Sequence, residues 1–600
     1  VSIQAFNQAL ELIHRGNLSQ AEALLRTALR RDPKQPELND MLGTVLVKLD
    51  KLEQARYFHE AALRGAPERS EFWNNYGGLL LAEGRFADAK GAFERVLSIN
   101  PREVMGYWGL ARACAQMRDF SGMIGAARRG AEVDPNRPEF WVNVAIGYLA
   151  AGQPREAKEM IARAAMADPM RVGPQYLSTL LYHPEMEPAA VLADHSSWGN
   201  LLARMVPERP RPWWRDAGAG KPGGRPLRVG YLSSDLRRHS VAYFMEPLLE
   251  AHDPARVEVF VYHAAPNDEV SARMQKRVRK WTNIGALNDE QVVAAIVGDR
   301  VDVLVELNGM TIGGRPGVLA MRAAPLQASY AGYACASGIP TIDARIVDAI
   351  TDPLRNGDDA LDLGAAAKLG RDGLVRLDRC FLCYRADPDA PAVGALPALS
   401  AGRVTFGSFS LMGKINDRVL ASWVRILRRV PGSRLVMKNS GLTDPAVRER
   451  VRSAFSAMSI EEDRVELVAW SEKLGDHLSR YNQIDVALDT FPYNGTTTTC
   501  EAMWMGVPTV TLRGDRHVAR VGESLAHAVG LDELVGADEA SYERIAAELA
   551  TDLPRLSAMR AGLRERMRTS SLGDATAHAR AMESAYAGLW QAWCDGRHRA

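Results

Sequence analysis

Cysteine is scarce in these 600 residues: six are present, at Cys114, Cys335, Cys380, Cys383, Cys500 and Cys594, and their spacing builds no disulfide framework. A reducing cytoplasm is therefore the expected compartment, and the fold must rest on apolar cores. An excess of one charge is missing too, since 74 Lys and Arg stand against 73 Asp and Glu, a formal net charge of +1. That excludes a global basic field for nucleic acid and an acidic solvating tail. No apolar run approaches the roughly 20 residues that a membrane-spanning helix needs. The opening stretch VSIQAFNQALELIHRG is amphipathic rather than a charged head before an apolar segment, so it does not read as an export signal. Neither nucleic acid nor membrane is expected as a partner. CFLC, Cys380 to Cys383, has the spacing of a zinc or redox pair, but no second pair follows. It alternates like a strand and reads as structural. No metal site and no resident cofactor is expected.

What is present begins with a period. Pro33, Pro67, Pro101, Pro135 and Pro169 stand 34 residues apart. Ala21, Ala55, Ala89 and Ala157 recur twelve residues before their prolines, with Met123 in the fourth unit, and Gly16, Gly84 and Gly152 mark a turn. Apolar residues follow helical spacing on both sides of that turn, which makes each unit a helical hairpin. The pattern resembles the tetratricopeptide repeat, about five copies over 1–170. Stacked, they form an α-helical solenoid of about ten helices whose concave face binds extended polypeptide; a rigid spacer or dimerisation arm is the alternative. The beat fails after residue 170. A helical linker and a Pro- and Gly-rich connector, PERPRPWWRDAGAGKPGGRP, occupy 171–225.

Beyond residue 225 short β-branched runs alternate with helical stretches. LRVGYLSS, VEVFVYHA, VDVLVELNG and ARIVDAIT predict buried parallel strands in a first unit, 226–395. RVTFGSFS, SRLVMKN, RVELVAW, IDVALDTF and PTVTLRG predict a second, 396–600, whose last helix ATAHARAMESAYAGLWQAWCDG packs back across one of the sheets. Two Rossmann-like, doubly wound α/β units place a ligand beyond the carboxyl ends of the strands, in the cleft between them.

Against that cleft, DTFPYNGTTTTCEAMW is a strand, a turn through Gly495 and a helix. Thr498 and Glu501 have the Thr-x-x-Glu spacing of a capping box. A cap needs only one threonine, whereas Thr496, Thr497 and Thr498 together set several hydroxyls and free amides at a helix start, which suits a phosphate or diphosphate. Lys414, in FGSFSLMGKINDRVLASW, precedes a helix beginning near Asn416 or Asp417, where a cation opposes the helix dipole unless an anion sits before it. His477 lies just ahead of the threonine strand with Arg480 a turn later, and His239 follows the first strand of the first unit. GDRH, Gly514 to His517, opens another helix; it either completes the pocket or is structural.

LRVGYLSSDLRRHSVAYF, RAAPLQASYAGY, FGSFSLMGKINDRVLASWVRIL and DTFPYNGTTTTCEAMWMGVPTVTLRGDRHVARVG, behind the repeats, resemble the family containing O-linked N-acetylglucosamine transferase and plant SPINDLY. That resemblance implies a GT-B fold and an inverting, metal-independent enzyme. The reaction it implies is transfer of a sugar from a nucleotide donor to Ser or Thr of a protein acceptor guided by the repeats. It implies that Lys414 contacts the donor diphosphate, that the segment Asn494, Gly495, Thr496, Thr497 and Thr498 binds the phosphates, and that Glu501 holds the ribose. His477, with Arg480 beside it, would pack against the base, and His239 would face acceptor and sugar. Lys414 and His239 are thus the expected catalytic residues; none stands out as general base. Thr496 replaces a histidine of O-linked N-acetylglucosamine transferase and Glu501 an aspartate, both toward the SPINDLY branch, whose plant member uses GDP-fucose. Ala334 and Cys335 replace Pro and Gly of a Gly-Tyr-Pro-Gly-Thr loop, and Leu411 and Met412 interrupt the usual Asn-rich start of the lysine motif. Both loops line the sugar end, so UDP-GlcNAc, GDP-fucose and CMP-nonulosonate stay open as donors, with flagellin among the acceptors of bacterial relatives. A homo-oligomer is compatible with the sequence. A repeat scaffold without activity, or transfer to a lipid or glycan, is the alternative function.

Overall fold

The computed structural model describes residues 2–206, 224–353, 373–470 and 473–595. Most of the Pro- and Gly-rich connector lies outside these residues. The chain divides into two compact units, 1–168 with 443–447 and 169–442 with 448–600.

In the first unit ten helices run from Ser2–His14 to Pro154–Ala167, two to a repeat. The recurring alanines are what let the pairs close: Ala21, Ala55, Ala89 and Ala157 expose nothing, and Met123 takes the same place at 3%. At Gly109 a Cβ would stand 2.2 Å from the Phe93 ring, so the close approach there requires glycine. The turn between paired helices is left-handed in every repeat. Gly16, Gly84 and Gly152 adopt it at φ of 75°, 73° and 76°, but Asp50 and Arg118 adopt it too, both at 58°. Two repeats thus hold an unfavourable backbone conformation, costing on the order of 1–2 kcal/mol per residue, because packing on either side fixes the turn.

The second unit contains two parallel sheets. The first comprises β1 (Leu227–Ser233), β2 (Val257–His263), β3 (Lys280–Asn283), β4 (Val303–Glu306), β5 (Leu326–Ser329), β6 (Ala344–Asp348) and β7 (Gly373–Leu377), in the order 3-2-1-4-5-6-7. The second comprises β8 (Thr405–Ser408), β9 (Arg434–Lys438), β10 (Val465–Val468), β11 (Val486–Leu488), β12 (Thr509–Leu512) and β13 (Val535–Gly536), in the order 10-9-8-11-12-13. Both are doubly wound. The strand order reverses between β1 and β4 and again between β8 and β11, and ligands bind such sheets at the carboxyl side of that reversal.

Two expectations change. Over 171–205 the chain is no linker. The helices Pro169–Leu180 and Pro188–Met205 put Leu177, Leu180, Val191 and Trp198 into the same core as Leu232, Phe260, Ile296 and Leu304 of the first sheet. The second of these helices rests directly on the loop after β5: a Cβ at Gly199 would fall 2.0 Å from the carbonyl oxygen of Gly338. CFLC is not a strand either. All four residues are buried rather than alternating, because both halves cover them: Ser524 Oγ lies 3.4 Å from Cys380 Sγ, and Phe381 meets His517 edge to face at 5.1 Å. Burial pushes both thiols up to about 12, and all six cysteines are free.

The last helix, Ala575–Cys594, returns to the first sheet. Its Tyr586 hydroxyl is 2.9 Å from that of Tyr231, Glu583 lies 3.1 Å from His252, and His578 Nε2 is 2.9 Å from the Tyr330 hydroxyl. Among the described residues no helix is long and apolar enough to cross a membrane.

Candidate functional site

The site is assembled from segments that leave the carboxyl ends of β8, β9 and β11. After β8 a short 3-10 turn, Met412–Lys414, precedes the helix Asp417–Arg429. Asn416 caps that helix by accepting from the Arg418 and Val419 amides, and its own amide donates to Phe491 O at 2.7 Å, fastening the turn to the chain after β11. Lys414 is thereby held with Nζ 3.9 Å from the Tyr493 ring centroid and donating to Asn494 O at 2.7 Å. Its remaining donors need an acceptor. Burial pushes its pKa down to about 8, with Asp489 pulling the other way.

Asp489, at the end of β11, organises the loop. Its carboxylate accepts from the amides of Gly495 at 2.6 Å and Thr490 at 2.8 Å, and from Thr511 Oγ1 at 2.7 Å. Burial raises its pKa to about 6 against those bonds and the Lys414 charge. Asn494 is fully buried, donating to Thr490 O and accepting from the Gly522 amide. A side chain at Gly495 would run into Thr499 Oγ1 at 2.5 Å. The loop is therefore held by its own hydrogen bonds and close packing.

The helix begins at Thr497, two residues earlier than the capping-box reading placed it, with Thr496 rather than Thr498 as the residue that flanks its start. No side-chain cap is made. Glu501 is drawn away from the helix start: its Oε2 lies 3.0 Å from His477 Nε2 and 3.5 Å from the Tyr481 hydroxyl, which donates to Thr498 O at 3.1 Å. The first amides of this helix, at Thr497, Thr498 and Thr499, have no carbonyl within the helix to bond. With the partly exposed hydroxyls of Thr496, Thr497 and Thr498 beside them, they form a positive, donor-rich end.

The expected donor residues Lys414, Asn494, Gly495, Thr496, Thr497, Thr498, Glu501 and His477 are thus neighbours around one helix start. Arg480 is partly exposed, bonds Gln483 at 3.3 Å and bears electrostatically on Lys438. His239 sits at the equivalent crossover of the first sheet. Its Nδ1 is 3.7 Å from Asp235 Oδ2 and accepts from the Val241 amide at 3.3 Å. Burial lowers its pKa while Asp235 opposes the fall. Asp235 is itself fixed by Asn308 Nδ2 at 2.7 Å, from the loop after β4, so both sides of the first reversal meet there. Tyr243, a turn beyond His239, is near enough to Glu501 for that charge to add to burial in raising its phenol to about 12. His517 of GDRH does not join the threonine loop. It is buried with Nδ1 2.5 Å from Asp352 Oδ2 and ties the second sheet to the first.

Sequence reasoning missed several participants. Tyr493 was visible only as part of a turn, and its partner Tyr182, at 4.7 Å between centroids, lies in the segment read as a linker. Lys438 ends β9 in SRLVMKN, the position that made Lys414 conspicuous after β8, and that parallel was the available signal. Among the described residues no three His, Cys, Asp or Glu side chains group as a metal site.

Residues 206–362 and 395–582 match the model of Glycosyl transferase family 41, and 41–103 and 79–138 match the tetratricopeptide-repeat model. A Solanum lycopersicum protein described as a probable UDP-N-acetylglucosamine–peptide N-acetylglucosaminyltransferase SPINDLY is 39% identical over 434 residues, 72% of this chain and 45% of the relative. The Arabidopsis thaliana protein of the same description is 38% identical over 407 residues, 67% of this chain and 43% of the relative. The chain spans less than half the length of these curated relatives. Among solved structures, an O-GlcNAc transferase of Thermobaculum terrenum is similar at a TM-score of 0.76 and 29% identity, over 88% of this chain and 98% of that one.

Proposed function

Because the chain belongs to glycosyl transferase family 41, we propose that it is a protein O-glycosyltransferase taking its sugar from a nucleotide donor. The observation that carries this is the pairing of Lys414 with an uncapped helix start across one strand reversal. A nucleoside diphosphate gathers negative charge as its bond to the sugar breaks. A desolvated ammonium and convergent amides stabilise that charge in place, with no reorganisation at the moment of reaction. In this reading the acceptor hydroxyl attacks the anomeric carbon from the face opposite the leaving diphosphate, inverting the centre without a metal; the carbon–oxygen bond to the diphosphate breaks as the glycosidic bond forms, and the hydroxyl proton passes to water. Glu501 accepts from the ribose, His477 with Arg480 borders the base, and His239 faces the acceptor. The tetratricopeptide repeats hold the protein acceptor. UDP-N-acetylglucosamine is the first donor to test, since the plant relatives are described as probable transferases that use it. Free cysteines throughout support a reducing, cytoplasmic setting.

Thermal unfolding of the full chain with UDP, GDP and CMP and their sugars tests the reading. One nucleotide series is expected to stabilise the protein by about 2.7 kcal/mol at 100 times its dissociation constant, and the matching sugar nucleotide to modify Ser or Thr of a co-expressed acceptor in mass spectra. Stabilisation by none of them would overturn the transferase in favour of a binding scaffold.

A further inference from the structure

Lys438 is buried to 2% at the end of β9, and its one hydrogen bond among the described residues runs to His477 Nδ1 at 2.5 Å. An ammonium has three donors and no acceptor, and placing it out of water with a single bond is costly. The Phe409 and Trp470 rings lie 5.6 and 5.7 Å from Nζ. Glu501 and Asp476 favour the cation, whereas Arg480 opposes it. A packing role is better served by an uncharged side chain of this length, so the charge itself is what the position uses.

Its effect on His477 follows from donor and acceptor rules. Facing an ammonium, Nδ1 must present its lone pair, so the ring proton is on Nε2. Nε2 then donates to Glu501 Oε2 at 3.0 Å, while the Tyr481 hydroxyl, which donates to Thr498 O at 3.1 Å, lies 3.5 Å from the same oxygen. The carboxylate is pinned through one oxygen, and among the described residues Oε1 accepts nothing. We propose that Lys438 is a positioning residue for the donor: by holding His477 as the Nε2–H tautomer it turns Glu501 so that Oε1 is left for the ribose hydroxyls of a nucleotide. This rests on the nucleotide-sugar reading above and adds to it a residue and a tautomer. Without the lysine, Nδ1 loses its cationic partner, and the Glu501 carboxylate alone is left to hold the ring in this tautomer and orientation.

The test is calorimetric titration of the full chain with the nucleoside diphosphate it binds and with the 2′,3′-dideoxy counterpart. The native protein is expected to prefer the ribonucleotide by about tenfold to a hundredfold, the range for hydrogen bonds to a charged group. Lys438→Met should lose most of that preference while its affinity for the dideoxy compound stays nearly unchanged. Lys438→Gln, which keeps a donor for Nδ1, should retain the preference. Combining Lys438→Met with Glu501→Gln should cost no more than Glu501→Gln alone. Full ribose preference in Lys438→Met, or losses that add completely in the double variant, would overturn the proposal. Should Lys438→Met not fold, loss of the preference in Lys438→Gln overturns it and retention supports it. Equal binding of ribo and dideoxy forms by the native protein would sink this inference and leave the nucleotide reading standing, whereas no binding of either would sink both.

Discussion

Lys414 is where a single side chain decides most. Its cation is the group that a diphosphate needs, and burial has brought its pKa down to about 8. The amine of the ligand-free protein is charged below that value and neutral above it, so kcat/KM is expected to be full below about pH 8 and to fall as pH rises through it, whereas kcat, with the diphosphate holding the lysine charged, falls only at higher pH. Stability of the ligand-free protein runs the opposite way. The unfolded state keeps this lysine protonated up to its ordinary value of 10.5, so the native state gains relative stability between about 8 and 10.5 as pH rises. Lys414→Ala should lower kcat by about 10²–10³, as removal of one oxyanion donor does elsewhere, while melting and acceptor-peptide binding stay close to native. Steady-state kinetics across pH, run beside thermal unfolding, reads both effects; a kcat that survives the substitution would remove Lys414 from the reaction.

Among the elements, the helix Thr497–Trp504 and the pair Pro169–Leu180 and Pro188–Met205 matter most for the site. Tyr182, between the paired helices, packs with its ring tilted against Tyr493, whose ring lies under the Lys414 ammonium. Such aromatic pairs contribute about 0.5–1.5 kcal/mol beyond their burial, which corresponds to roughly twofold to tenfold in an equilibrium constant. Tyr182→Ala is therefore expected to weaken nucleotide binding by up to about tenfold, and Tyr182→Phe, which keeps the ring but loses the hydroxyl that bonds Tyr493, to weaken it less. Titration calorimetry decides, and unchanged affinity in the alanine variant would mean that the pair does not position the lysine. This contact also marks the limit of what the sequence discloses. Strands such as LRVGYLSS and IDVALDTF were legible because parallel strands are continuous apolar runs, and Lys414 and the threonines because they sit where such runs end. Tyr182 was not, since a helical stretch between a repeat array and a Pro-rich connector carries no local sign of the sheet on which it packs. β3 and β13 escaped for a related reason: KWTN is polar and Val535–Gly536 is two residues long, so neither has a strand's pattern. The capping box misled because Glu501 fits the spacing while His477, 24 residues earlier, claims its carboxylate.

For the molecule as a whole, two compact units imply that damage to one need not destroy the other. A repeat array is stabilised largely by contacts between neighbouring repeats, so a wedge driven between two helices propagates along it. Gly109 is the place to drive that wedge. Any Cβ there meets the Phe93 ring at 2.2 Å, and Phe93 is itself buried against Gly77, where a Cβ would stand 2.8 Å from it, so the ring cannot simply swing aside. Overpacking of this kind costs about 1–3 kcal/mol, a large fraction of what an array of five short hairpins can hold. Gly109→Val is expected to lower the melting of the repeats as a separate calorimetric transition, while the transition that responds to nucleotide keeps both its temperature and its ligand-induced shift. Modification of a full-length protein acceptor should fall by an order of magnitude or more. A short Ser- or Thr-containing peptide supplied at high concentration, which has less need of the repeats, should still be modified at close to the native rate. If peptide and protein acceptors decline together, the repeats support the catalytic unit rather than merely present substrate to it. If neither declines, the acceptor reaches the cleft without them, and the solenoid serves the spacer or dimerisation role that its sequence offers as the alternative.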